Sequence, residues 1–143
     1  WFGNSLTLTH WHDIWLHEGF CCYAEWIWSE RSGGKTADEH ARSYHQRLAR
    51  DPHTEVLGDP GPDAMFDDWV YKRGALTLHV LRLTIGDDAF FRLLRRWTAE
   101  HRDGVVTTPD FEVLATEVAG RSLQPLFDRW LRDVPLPDVA PLP

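Results

Sequence analysis

The sequence predicts a mainly α-helical domain. Three observations carry this. Apolar residues recur at helical spacing in one segment after another. Glycine and proline mark most of the boundaries between those segments. Only Leu6-Thr7-Leu8-Thr9 alternates apolar and polar residues as a half-buried strand does. With 143 residues and 43% hydrophobic content, the chain is long enough for one packed core and too apolar for disorder.

The elements follow in order. Trp1-Phe2-Gly3-Asn4 reads as the end of an element, with Gly3 and Asn4 in terminating positions. Residues 6–9 form a short extended segment. Asp13 is placed to cap a helix from Ile14 to Arg31, which Gly33-Gly34 ends. Its apolar residues Trp15, Phe20, Cys22, Tyr23, Trp26 and Ile27 wrap widely around the helix, so it is expected to be central. A second helix starts after Thr36 and runs to Arg50. Its single stripe of Ala41, Tyr44 and Leu48 marks a surface helix. Residues 51–66 hold three prolines and two glycines and read as a loop.

A third helix, Asp67 to Ile85, carries Val70, Ala75, Leu78, Leu81 and Ile85, and Gly86 stops it. Asp87 or Asp88 caps the next, Ala89 to His101, whose inner side is Phe90, Phe91, Leu93, Leu94 and Trp97. Thr108 is read as an N-cap with Pro109 at the first helical position, opening a helix to Val118 that Gly120 ends. A last helix spans Leu123 to Arg132. Residues 1–133 therefore form the body. Residues 134–143, with four prolines, form a tail or linker.

Composition excludes several classes. A net charge of −7 argues against a nucleic-acid partner, because phosphate neutralisation needs clustered Lys and Arg. Cys21 and Cys22 are adjacent and cannot form a disulfide framework. They are read as buried small apolar residues, which fits a reducing, cytoplasmic setting. No apolar run reaches membrane-spanning length, so no membrane partner is expected. Eight tryptophans are many for this length, and Trp1, Trp11, Trp15 and Trp26 all fall near the start. Either this end is deeply buried, or it packs against something larger. Apolar surface around Trp1, Trp15 and Trp26 would then favour self-association.

The chemistry lies in Trp15-Leu16-His17-Glu18-Gly19-Phe20, which sets one carboxylate in an aromatic frame near a helix start. Together with Trp1-Phe2-Gly3-Asn4, this segment resembles the zinc aminopeptidases of the aminopeptidase N and leukotriene-hydrolase type, the gluzincins. In that family H-E-x-x-H-Q-W-F-G-N is followed, about eighteen residues after the second histidine, by a glutamate in W-L-N-E-G-F. The two histidines and that glutamate bind zinc, and the glutamate between the histidines is the general base. The resemblance implies that Glu18 is the third zinc ligand. It also places the second histidine two positions before Trp1.

A second match is Val70-Tyr71-Lys72-Arg73-Gly74-Ala75. The family carries a Tyr-x-Lys-Gly-like segment there, whose phenol supports the oxyanion of the tetrahedral intermediate. The resemblance gives that catalytic role to Tyr71. Asp128-Arg129-Trp130-Leu131 also looks like the end of the family's catalytic domain. The implied fold is the helical subdomain of a thermolysin-like metallopeptidase domain. The implied activity is removal of N-terminal residues from peptide substrates by metal-activated water.

The departures are equally plain. No H-E-x-x-H and no G-x-M-E-N segment occurs in the 143 residues, and His17 replaces the usual asparagine. A catalytic zinc takes three protein ligands. The isolated chain is therefore expected to be inactive and to hold no zinc tightly. Glu25, seven residues beyond Glu18 on the same helix face, is read either as a partner of a zinc-bound histidine or as an exposed carboxylate. His10, His12 and Glu18 could form a metal site of their own, although exposed histidines explain the pattern more simply. Asp67 and Asp68 are read as helix N-terminal acids. The competing function is a non-catalytic helical interaction module derived from the same family.

Overall fold

The structure is a computed structural model and describes residues 3–142. Trp1 and Phe2, half of the opening motif, lie outside the described residues, as does Pro143. Two helices form the centre, α1 (Trp15–Arg31) and α4 (Asp68–Ile85). They meet at Gly19 against Gly74, at Tyr23 against His79 and at Glu30 against Arg82. Those pairs rise together in number, so the two helices run in the same direction. Their N-terminal turns therefore share one end of the molecule.

The broad apolar girth of α1 is buried as the sequence predicts. Trp15, Leu16, Phe20, Cys22, Tyr23 and Trp26 all lie inside. α2 (Ala37–Arg50) starts where Thr36 and Glu39 cap each other reciprocally. It buries Ala41 and Leu48, and its Tyr44 ring stacks on Trp26 at 5.4 Å. The segment from 51, which the sequence predicts as loop throughout, contains one short helical turn, α3 (Gly61–Ala64).

α5 (Asp87–Glu100) and α6 (Thr108–Ala119) close the other side, with Phe111 at an aromatic hub. Its ring meets those of Trp15, Phe20 and Trp97 edge-on at 5.8, 5.3 and 5.2 Å, a favoured geometry for aromatic pairs. A two-stranded parallel sheet joins β1 (Leu6–Leu8) to β2 (Gly104–Val106), with Leu6 opposite Gly104 and Leu8 opposite Val106. β2 is too short to show a period, and the sequence did not reveal it. The final helix is divided. α7 (Gln124–Phe127) widens into a π-type turn, Asp128–Arg132.

Three capping expectations are corrected. Asp13 does not cap α1, which instead continues from a 3₁₀ turn over Trp11–Asp13 with no side-chain cap. The N-cap of α6 is Thr107, in a reciprocal box with Asp110, so Thr108 and Pro109 sit one place further in. α5 starts from Gly86, and Asp87 pairs with Arg82 rather than capping.

The proline-rich tail lies against the body. Leu136, Val139 and Leu142 pack on the core, and the Leu142 N–H donates to Thr84 Oγ1 at 3.1 Å. Arg73 fastens the start of this tail. Its guanidinium donates to the carbonyls of Arg129, Trp130, Asp133, Val134 and Pro135.

Behind the helix crossing, His79 is buried. Tyr23 Oη lies 3.1 Å from its Nδ1, and Asp38 Oδ1 lies 3.5 Å from its Nε2. Burial is the largest influence and pushes the imidazole pKa down, outweighing Asp38, which pulls it up. The folded state therefore keeps His79 neutral at a pH where the unfolded chain takes up a proton. Stability contributed this way is present above the unfolded value of about 6.5 and falls as pH drops below it. A urea midpoint should fall from about pH 7.5 to about pH 5.5, and His79→Gln should remove part of that fall. An unchanged slope in the variant would show that His79 is not responsible.

Candidate metal centre and active site

Glu18 and Tyr71 occupy the first turns of α1 and α4, at the end that the two parallel helices share. Both are half-buried. The structure brings them together. The Tyr71 phenol is pushed up in pKa by burial first, and then by the Glu18 carboxylate, acting through its charge and as a hydrogen-bond acceptor. The phenol consequently stays protonated, and a donor, throughout the neutral range.

His17 turns away from Glu18, with its Nε2 donating to the Leu6 carbonyl at 2.6 Å. That bond ties the first turn of α1 to β1. Asp13, expected as a local cap, is 1% exposed and reaches 95 residues along the chain. Its Oδ1 accepts the Thr108 N–H at 3.1 Å and the Thr108 hydroxyl at 2.5 Å. Trp15 Nε1 donates to the same hydroxyl at 2.9 Å. The entrance to α1 is therefore bolted to the start of α6.

Other sequence expectations divide. Cys22 is buried as expected, with Lys72 Nζ 3.4 Å from its sulfur, but Cys21 is exposed. Its thiol is raised in pKa by partial burial first and then by the charge of Glu18. Glu25 is exposed two turns further along α1. Asp68 forms an ion pair with Arg47 at 3.1 Å, and Asp67 is the N-cap residue of α4 without a side-chain cap bond. His10 and His12 stack at 5.1 Å, but among the described residues no group of three or more His, Cys, Asp or Glu could hold a metal ion.

The aromatic surface is also corrected. Trp15 and Trp26 are buried, and Trp1 lies outside the described residues. The exposed large aromatics among the described residues are Trp28, 71% exposed, Trp11, 63% exposed, and Phe66, 56% exposed, and Trp11 and Phe66 meet edge-on at 6.3 Å.

Gly19 and Gly74 lie within the two motifs, one on each central helix. A Cβ on Gly19 would lie 2.8 Å from Gly74 Cα, and one on Gly74 would lie 2.8 Å from Gly19 Cα. A glycine inside each of two helical patterns, which costs about 1 kcal/mol against alanine, was the available signal.

A glutamate oxygen beside a protonated phenol fits one corner of a catalytic zinc site. Such a site takes three protein ligands, and among the described residues Glu18 stands without two further ligands beside it. The peptidase family M1 domain model matches residues 1–130, and the chain belongs to this family of zinc metallopeptidases. Aminopeptidase N of Lactococcus lactis is 29% identical over 98% of the chain, and aminopeptidase N of Streptomyces lividans is 28% identical over 92%. The chain spans only 18% and 17% of those proteins. The crystal structure of an M1 zinc metallopeptidase from Deinococcus radiodurans superposes with a TM-score of 0.89. It is 33% identical, matches the whole chain, and is itself covered over 33% of its length. Legionella pneumophila aminopeptidase A, at 18% identity and a TM-score of 0.72, shows the same fold.

No helix among the described residues is long and apolar enough to cross a membrane.

Proposed function

We propose that this chain supplies the glutamate ligand and the oxyanion-supporting phenol of an M1 aminopeptidase acting on the N-terminal end of peptides. The observation that carries this is the meeting of Glu18 and Tyr71 at the shared N-terminal end of α1 and α4. Zinc, when bound, polarises a peptide carbonyl and makes water nucleophilic at neutral pH. Glu18 offers a carboxylate oxygen to the metal from a helix that is packed along much of its length and so cannot drift. Tyr71 holds its proton and donates to the carbonyl oxygen as that atom gains negative charge. Glu25, on the same helix and exposed, is proposed as an acceptor for a metal-binding histidine. The general base and two further ligands have no counterpart in these residues, so the chain alone is proposed to be catalytically silent.

A chimera tests this reading. In it, the matching third of the Deinococcus enzyme is replaced by this chain. The folded chimera should bind zinc and hydrolyse aminoacyl anilides. Glu18→Ala should lose zinc. Tyr71→Phe should keep zinc and lower kcat by about 10²–10³-fold, the usual effect of removing one oxyanion donor. The 143-residue chain by itself should show neither turnover nor tight zinc binding. Full zinc occupancy in folded Glu18→Ala would overturn the ligand assignment, and undiminished turnover in Tyr71→Phe would overturn the catalytic one.

A further inference from the structure

The contact between α1 and α4 is closest where the proposed site begins. Gly19 follows Glu18 directly. Gly74 lies three residues beyond Tyr71, on the same face of its helix. A Cβ on Gly19 would meet Gly74 Cα at 2.8 Å and Gly74 carbonyl carbon at 2.9 Å. These obstacles are backbone atoms inside a helix, so no side chain can rotate out of the way. Non-bonded carbons settle about 3.5–4.0 Å apart. One methyl group at this point therefore needs about 1 Å more room, which only a shift of one helix against the other can provide.

Elsewhere the helix pair is spaced by large side chains. Tyr23 reaches His79, and Arg82 reaches Glu30. The interface is thus narrow at the end carrying Glu18 and Tyr71, and filled by long groups towards the other. A spacer of zero size is needed only at the narrow end.

We infer that Gly19 and Gly74 are positioning residues: their backbone contact sets the separation of the Glu18 carboxylate and the Tyr71 hydroxyl. The functional meaning rests on the proposed roles of those two side chains, but the geometric statement does not. Gly74→Ala would push the first turn of α4 outward and carry the phenol away, while leaving Glu18 on α1 in place. A misplacement of about 1 Å is the scale at which catalysis loses about 10²-fold.

The test uses the 143-residue chain without metal, so it is independent of whether Glu18 binds zinc. In the unaltered chain, nuclear Overhauser contacts are expected between the α-protons of Gly19 and Gly74, and between the Tyr71 ring and the Glu18 side chain. In Gly74→Ala the Tyr71–Glu18 contact should be lost while the Tyr23–His79 contact persists. A merely destabilising change would weaken both together. A folded Gly74→Ala chain with the Tyr71–Glu18 contact at full strength would overturn the inference. Absence of the α-proton contact in the unaltered chain would overturn it too, and that measurement decides the matter if the variant does not fold. Loss of zinc binding in the chimera, by contrast, would bear on Glu18 as a ligand and leave the spacer role standing.

Discussion

Replacing Arg73 with methionine is expected to destabilise the chain by about 3–5 kcal/mol. The side chain is 4% exposed, and burial pulls its pKa down to about 10, which still leaves it charged at neutral pH. Its guanidinium satisfies carbonyls that the final helical segment leaves open as it widens and ends. It also holds the junction of body and tail, through Asp133 O at 2.5 Å and Val134 O at 2.8 Å. Methionine keeps some of the volume but leaves several buried carbonyls without a donor. Arg73→Lys should be intermediate, because an ammonium is a point donor and cannot fork across adjacent carbonyls. Urea unfolding of the three chains gives the ordering. Limited proteolysis should cut near residues 133–136 first in the methionine variant. A loss below about 1 kcal/mol, within the range of an ordinary hydrogen bond, would show that the tail and the helix end hold without the clamp.

How much of this was legible follows from the range of each interaction. The central position of α1 could be read because apolar residues surround it, and burial depends on that girth wherever the helix packs. The start of α2 at Thr36 was equally local, since its partner is Glu39. Glu18 and Tyr71 were visible only through resemblance. Nothing in either segment alone says that two first turns 53 residues apart will meet. β2 was missed because Gly104-Val105-Val106 is three residues long and becomes a strand only by pairing with Leu6–Leu8. Trp26 looked like surface for a partner, yet α2 covers it with Tyr44. Asp13 misled most clearly. Its residue type and place suit a helix cap, and it does serve one, but the helix is α6 rather than the one that follows.

That displacement has a large energetic consequence. Asp13→Ala is expected to cost about 3–5 kcal/mol, since hydrogen bonds to a buried charged group contribute about 1.5–3 kcal/mol each and their donors stay buried when it is removed. The Thr108 N–H and hydroxyl both lose their acceptor, and the hydroxyl is also the acceptor for Trp15 Nε1. The carboxylate further opposes the positive end of the α6 dipole. Asp110 provides an internal control. It accepts from Thr107 N at 2.9 Å at the same helix start, but the bond lies at the surface. Asp110→Ala should therefore cost only about 1 kcal/mol, the ordinary worth of a cap. Because Asp13 ends the 3₁₀ turn that leads into α1, its loss should also loosen the first turn that carries Glu18, and amide exchange there should quicken more than at the C-terminal end of α1. Equal losses for the two aspartate variants would mean that the remote bond is worth no more than a surface cap. A large loss confined to Asp13 would make this single long-range carboxylate the principal tie between the proposed metal-binding helix and the far half of the fold.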